Sequence, residues 1–548
     1  MLLRLIFVSA MLLVPIRAAQ HLAPPPDATA QVDRIFSAFA KTGSPGCTVG
    51  AAIDGTTVLS AAYGMADLER NVPLTPQSVV EAGSVSKQFT GGVILLLAQQ
   101  GKLSLDDPVG KYIPELPDYG TVITVRHLLN HTSGLRDWGD VEGIAGWPRS
   151  TRVYTHAIVL DIVSRQRSLN FQPGADFSYT NTGYNLLAIL AERASRKSFQ
   201  DLSREAIFAP LGMSSTQWRD DFRRIVPNRA IAYAQNRDSV RELMPFENVF
   251  GNGGLLTTVG DLLKWNQNFA DSKLGGPEFT RAQQEQGRLN NGQRIAYAAG
   301  LFVMTWKGLR EVSHSGATAG YRAWLAHYPD QGLSVALLCN TSAANTVELG
   351  HSVASVYLGK SALSQVPTGD QSSPIVSNIE SKAGLYASVR DRETFTIDFK
   401  DGQLKYNGTL KLTPVTSTKF RAGDEDTYFD FEQSSGNKTG RLRILTSDDE
   451  NDYYEKVERV NPSAADLRAL TGEYTSDEAE TTLKVALDNG RLAIHRRPDA
   501  TILLSPTFRD GFSFSSGSVR FIRGADGRVT EMSIGDGRVW DLRFHRLN

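Results

Sequence analysis

The sequence predicts a mixed α/β (α+β) region over residues 30–360, followed by two small all-β barrels over 378–458 and 464–548. Three observations predict it. Helical and strand-like patterns are interleaved in the first region, only short alternating strands follow it, and that all-β stretch repeats itself. Hydrophobic residues make up 41% of the 548, with 48 glycines, which is an ordinary globular composition. The 58 Lys and Arg balance 59 Asp and Glu, for a net charge of -1. A nucleic-acid partner is excluded, because binding phosphates requires a basic face.

The first element is Met1-Leu-Leu-Arg4, an apolar run from Leu5 to Ile16, and Arg17-Ala18-Ala19. One positive charge, about a dozen apolar residues and small residues at the end read as a signal peptide over 1–19. The expected destination is periplasmic or secreted. The run is too short to span a bilayer comfortably, and no other run of about 20 apolar residues occurs, so no stable membrane insertion is expected after its removal. Cys47 and Cys339 are the only cysteines. They are too few for a disulfide scaffold, and they either pair or stay as buried thiols. There is no Cys-x-x-Cys and no His-Glu-x-x-His, and the nine His are scattered, so neither a metal nor another cofactor is expected.

Cys47–Ile53 and Thr56–Ala62 flank Asp54-Gly55 and read as a β-hairpin. Ser86 to Gln100 reads as a helix ended by Gly101, and a second long helix starts near Asn181. Arg322–Tyr328 and Leu333–Cys339 read as strands. Residues 361–377 read as a linker rich in Ser, Gln, Pro and Gly. Beyond it Gly384-Leu-Tyr386 matches Gly472-Glu-Tyr474, and Asp401-Gly402-Gln-Leu404 matches Asn489-Gly490-Arg-Leu492, both at a shift of 88. Leu412, Phe420 and Phe429 match Leu504, Phe512 and Phe521 at a shift of 92. This is the signature of a tandem duplication. Each copy fits a small closed barrel or lipocalin-like sheet, because closure removes exposed edges. The acidic run Asp448–Asp452 reads as a solvated loop.

Ser-x-x-Lys occurs at Ser84–Lys87 and at Ser435–Lys438. The first opens a helix, where residues three apart share a face and unpaired N–H groups favour a developing negative charge. The second lies in a Gly-rich stretch between strands, with no wall around it. A serine hydroxyl needs a base, and a lysine serves when burial or neighbouring cations keep it neutral. Tyr179-Thr-Asn181 is the only Tyr-x-Asn and stands at a loop-to-helix junction. His314-Ser-Gly316 is the only His-x-Gly and begins a strand-like stretch.

With these motifs over roughly residues 30 to 360, the chain resembles the class C β-lactamase and serine D,D-peptidase superfamily. The connecting segments Gly101-Lys-Leu-Ser-Leu-Asp-Asp-Pro108, His127-Leu-Leu-Asn-His-Thr-Ser-Gly-Leu135 and Gly253-Gly-Leu-Leu-Thr-Thr258 carry the same likeness. The resemblance implies a five-stranded antiparallel sheet flanked by helices, an all-helical part beside it, and the site between them. It places Cys47 and Cys339 on neighbouring strands. It implies Ser84 as nucleophile, Lys87 and Tyr179 sharing the proton work, and Asn181 holding Lys87 and the substrate. The oxyanion would rest on the N–H groups of Ser84 and Ala317.

Many relatives carry Lys-Thr-Gly where this chain has His314-Ser-Gly316. A neutral His holds a substrate carboxylate poorly unless Arg322 replaces the lost charge. Lys438-Thr-Gly440 is a decoy, 257 residues after Asn181. The His-x-Gly motif, the leader and the two barrels are together most similar to D-aminopeptidases of this superfamily. The expected substrate is therefore a D-amino-acid amide or other small molecule or short peptide. The alternatives are a carboxylesterase, a β-lactamase or D,D-carboxypeptidase, and a non-catalytic protein that binds wall fragments. By the same likeness a barrel loop, Ser435 to Gly440, would narrow the site. The sequence carries no signal for an oligomeric state.

Overall fold

The computed structural model describes residues 22–149, 152–236, 239–363, 376, 378–423, 427–432, 441–445 and 451–547. Residues 1–19, read above as a signal peptide, most of the segment read as a linker, residues 435–440 and the part of the acidic run from 448 to 450 lie outside the described residues.

The apolar alternation around Asp54-Gly55 folds into the expected hairpin, β1 (Cys47–Ile53) and β2 (Thr56–Tyr63). Both turn residues have positive φ, 47° and 76°, as a tight two-residue hairpin turn requires. Four later strands complete the sheet: β3 (Phe302–Trp306), β4 (Leu309–Thr318), β5 (Tyr321–Tyr328) and β6 (Leu333–Cys339). The order is β3-β4-β5-β6-β1-β2, antiparallel throughout. The sheet thus has six strands rather than the five implied by resemblance, the extra one being the edge strand β3. His314 sits inside β4, not at the start of a strand as its neighbours suggested. Cys47 pairs directly with Cys339 across β1 and β6, and the two form a disulfide.

Both faces of β1 are covered. Val49, Ala51 and Ile53 pack with Val32 of α1 (Ala28–Ile35), with Phe36 just after it, and with Val353 and Tyr357 of the helix Thr346–Leu363. On the other face Gly50 lets the helix Val259–Asp271 approach, since a Cβ there would lie 3.0 Å from the Leu263 side chain.

The helix that carries Lys87, α2 (Ser86–Gln99), is buried on every side from Ser86 to Leu97. That marks a helix through the middle of a core rather than on its surface. It lies against α3 (Asn181–Ser195), itself buried from Asn181 to Ala191.

Beyond the sheet, eight strands from Gly384–Ser388 to Asn451–Val457 close into a barrel, the last pairing with the first. A second run of nine strands follows. Its edge strands, Ala500–Leu503 and Ser505–Pro506, are neighbours in sequence, so the sheet curls to near-closure. The duplication persists in detail. Tyr386 donates its hydroxyl to Lys382 O (2.7 Å), and its counterpart Tyr474 donates to Leu470 O (2.8 Å). In both copies the tyrosine fastens the first strand to the turn before it.

Candidate active site

Ser84 lies in a 3-10 turn, Gly83–Val85, that runs directly into α2. Gly83 has φ 51° and its backbone abuts β4, where a Cβ would lie 2.5 Å from Ala317 N. A Cβ on Gly316 would lie 3.0 Å from Ser84 N and 2.0 Å from Ala82 O. Two glycines therefore let the Ser84 turn and β4 touch through bare backbone. The N–H groups of Ser84 and Ala317 are brought to the same junction.

One turn along α2, Lys87 is fully buried. Its Nζ lies 3.1 Å from Ser84 Oγ, 2.9 Å from Asn181 Oδ1 and 2.7 Å from Asn252 O. Asn181 opens α3, and its backbone N–H donates to Asp137 Oδ2 at 2.6 Å. Asn252 is steadied by Asn185, one turn further along α3, whose Nδ2 donates to Asn252 Oδ1 at 2.7 Å. Burial pushes the Lys87 ammonium well below its ordinary range, and the Arg538 and Arg149 charges push further in the same direction, while Asp137 partly opposes them.

Tyr179 precedes α3, and its ring lies 4.8 Å from Lys87 Nζ. Its buried hydroxyl makes no hydrogen bond of regular geometry among the described residues. Burial raises its pKa above the ordinary phenol value, against a smaller pull downward from the neighbouring Ser84 hydroxyl and Arg538. The resting Tyr179 is a neutral phenol.

His314 is 3% exposed. Its Nδ1–H donates to Ser315 O at 2.6 Å, which leaves Nε2 to accept from Tyr297 OH at 3.1 Å. Burial, with the Lys87 charge, pulls its pKa down to about 3. His314 is uncharged and both ring nitrogens are occupied, so it shapes the site without presenting charge or a free donor to it. Arg322 turns one nitrogen, Nη1, to Ala319 O (2.9 Å) and Tyr321 O (2.7 Å).

The first strand of a small three-stranded sheet, Val80–Glu81, leads into the nucleophile turn. Glu81 receives both Nε (2.8 Å) and Nη2 (3.2 Å) of Arg219, and both side chains are sealed from solvent. This bidentate pair anchors the strand from below.

A cleft of about 470 Å³ lies over Tyr179, with both barrels contributing walls: Arg390, Glu393 and Tyr454 from the first, Arg538 and Trp540 from the second. Arg390 clamps Asp176 with two hydrogen bonds (2.6 and 3.1 Å), also binds Asp452, and lies over Trp540. One arginine thus joins the sheet-and-helix region to both barrels. Glu393 is pushed up to about 7 by burial and by the neighbouring charges of Asp391 and Asp536.

The structure therefore gathers Ser84, Lys87, Tyr179, Asn181, Gly316 and Ala317 around one junction, with His314 behind it. Sequence reading missed Asp137, Asn252 and Arg538. Asn252 acts through its carbonyl, which no side-chain pattern reveals. Arg538 follows the Asp536-Gly537 turn, more than 350 residues from Asn181.

A Beta-lactamase family model matches residues 32–358, more than half of the chain. Penicillin-binding protein 4* of Bacillus subtilis is 32% identical over 310 residues, covering 54% of this chain and 67% of that protein. A D-aminopeptidase of Brucella anthropi is 25% identical over 524 residues, 92% of this chain and 95% of that one. Among solved structures, the octameric penicillin-binding protein homologue from Pyrococcus abyssi shares the fold, with TM-score 0.55 and 23% identity, over 78% of this chain and all of that one. The junction of nucleophile turn, buried lysine and glycine-bearing strand falls inside the matched residues, and the chain belongs to the beta-lactamase family of serine hydrolases.

Proposed function

We propose that this protein is an exported serine hydrolase that forms an acyl-enzyme on Ser84 and acts on D-amino-acid amides and short peptides. The observation that carries the chemistry is the set of neighbours around Lys87. Asn181 Oδ1 and Asn252 O can only accept hydrogen bonds. An ammonium would donate to all three neighbours; once deprotonated, the amine keeps its two N–H bonds to these carbonyl oxygens and turns its lone pair to the third neighbour, the Ser84 hydroxyl. Its depressed pKa supports the same state.

In this reading Ser84 Oγ attacks the carbonyl carbon as its proton passes to Lys87. The oxyanion forms against the N–H groups of Ser84 and Ala317, each such donor lowering the barrier by about 3–4 kcal/mol. Tyr179, a neutral phenol, protonates the departing amine and later takes a proton from the attacking water. Asn181 spends Oδ1 on Lys87, so Nδ2 is the end that meets the substrate. This division makes Lys87, not Tyr179, the base for acylation.

The amine end of the substrate class rests on the likeness to D-aminopeptidases and on the cleft wall. Arg390 is shared between Asp176 and Asp452, and Glu393 beside them is pushed up to about 7 by burial and by the Asp391 and Asp536 charges, so its ionised form lacks a cation among the described residues. A substrate ammonium would supply one. The neutral His314 disfavours carboxylate recognition at its own position on β4, as a β-lactamase or D,D-carboxypeptidase reading would use it. Export rests on the leader-like residues 1–19, and a disulfide between Cys47 and Cys339 fits an oxidising compartment.

The test is a matched panel of D-Ala and L-Ala p-nitroanilides, p-nitrophenyl butyrate and nitrocefin, with Ser84→Ala as control. Turnover of the D-anilide in preference to the others supports the reading. Turnover of the ester or nitrocefin alone replaces it with the esterase or β-lactamase reading.

A further inference from the structure

The last two strands of the second barrel, Val529–Asp536 and Val539–Arg546, form a hairpin whose two-residue tip is Gly537-Arg538. The tip is built into the hydrolase region rather than resting on it. Asn170 donates Nδ2 to Arg538 O at 3.0 Å and accepts from Trp540 N at 3.2 Å. Next along the strand, Arg136 Nη2 donates to Asp541 O at 2.9 Å, and the same buried guanidinium pairs with Glu478 at 2.9 Å. Three hydrogen bonds thus fix the hairpin, and its direction puts the Arg538 guanidinium over the Tyr179 ring, 5.0 Å from the centroid. Its nearest carboxylate oxygen is Asp137 Oδ2 at 3.5 Å. Asp137 is also engaged, through Asn181 N (2.6 Å) and Gly139 N (3.0 Å). The Arg538 side chain keeps 39% exposure, and it lines the cleft. Asp140 also stands near enough to favour its charge, but a guanidinium has five N–H donors in a rigid fork, more than the long contact with Asp137 uses.

We propose that Arg538 is a specificity-determining residue that receives a carboxylate carried by the leaving group. The proposal rests on the reading above, in which Tyr179 hands its proton to the departing atom. A cation stacked on that phenol then stands beside the leaving group, not beside the acyl group. In a dipeptide the leaving amine bears its carboxylate one carbon away, so Tyr179 and Arg538 would meet the two ends of the same amino acid. The acidic wall of the first barrel would face the ammonium at the other end. The substrate class this describes is a short zwitterionic peptide, cleaved in preference to the matching carboxamide. The second barrel thereby supplies the positive charge that β4 lacks at His314.

The experiment compares D-Ala-Gly with D-Ala-glycinamide, which differ only in that carboxylate, for wild type, Arg538→Gln and Arg538→Lys. Far-UV circular dichroism checks the fold of each. Wild type is expected to favour the acid in kcat/KM by about tenfold. R538Q is expected to erase that ratio, and R538K to restore part of it. A parallel pair of aryl esters, 4-acetoxybenzoate and 4-acetoxybenzamide, reads the same preference without a peptide. If the esters discriminate and the peptides are not cleaved, the peptide reading fails and the role of Arg538 stands. If wild type cleaves either pair without preference, or R538Q slows acid and amide equally, the role of Arg538 is overturned while the hydrolase remains. No turnover of either pair overturns both.

Discussion

Lys87 Nζ stands 3.1 Å from Ser84 Oγ, and no carboxylate among the described residues forms an ion pair with the amine. The nearby full charges are mostly positive, which favours the neutral amine that the proposed mechanism uses as its base. Protonation of Lys87 removes the lone pair that Ser84 needs. Activity is therefore expected to rise with pH along a limb set by Lys87 and lying well below the usual lysine range. A pH profile of kcat/KM checks this, and Lys87→Met is expected to lose about 10³-fold.

His314 makes stability sensitive to acid. Its folded pKa, about 3, lies below the ordinary value near 6.5. The unfolded chain thus binds the proton first. The stability that His314 lends is complete above pH 6.5 and is lost as pH falls toward 3. Relative to His314→Asn, wild type is expected to lose about 2 kcal/mol between pH 7 and pH 5. Urea unfolding of both proteins at the two pH values measures it.

Glu81 and Arg219 form a sealed pair beneath the nucleophile turn. Removing one partner leaves a buried guanidinium without its carboxylate, although Glu247 lies within 3.5 Å of it. Glu81→Ala is expected to cost about 3–5 kcal/mol. Chemical denaturation reads the loss. A cost near zero would mean that Glu247 takes over the pairing.

The disulfide sits in the core between the sheet and the helices α1 and Thr346–Leu363, on a different core from the one that holds Lys87 and its helix. Cys339→Ala with Cys47→Ala is expected to lower stability by about 2–5 kcal/mol and to leave kcat of the folded protein close to wild type. Thermal unfolding and a Ser84-dependent assay separate the two effects.

Local signals carried most of the fold. Asp54-Gly55 marked the hairpin, Gly101 with φ 67° marked the end of α2, and the 88-residue shift marked the duplicated barrels that Tyr386 and Tyr474 fasten alike. The edge strand β3 was not legible, because Phe302–Trp306 is short and only half-buried. In the site, the side-chain motifs were visible and their partners were not. Asn252 contributes a carbonyl, and Asp137 acts mainly through backbone N–H groups. Arg538 reaches Tyr179 only because a second barrel docks on Arg136 and Asn170. The likeness that suggested an intruding loop placed it at Ser435 to Gly440, outside the described residues. The intrusion that is described comes from the other barrel. Nothing in the sequence of its tip, Gly537-Arg538, announced where it points.

The central claim is a covalent one, so the most direct measurement is the mass of a trapped intermediate. Protein quenched in acid during turnover of a slow ester, or treated with a fluorophosphonate, is digested and mapped by mass spectrometry. The account requires one adduct, on the peptide containing Ser84, absent from Ser84→Ala and formed much more slowly by Lys87→Met. An adduct on any other side chain, or undiminished turnover by Ser84→Ala, would contradict it.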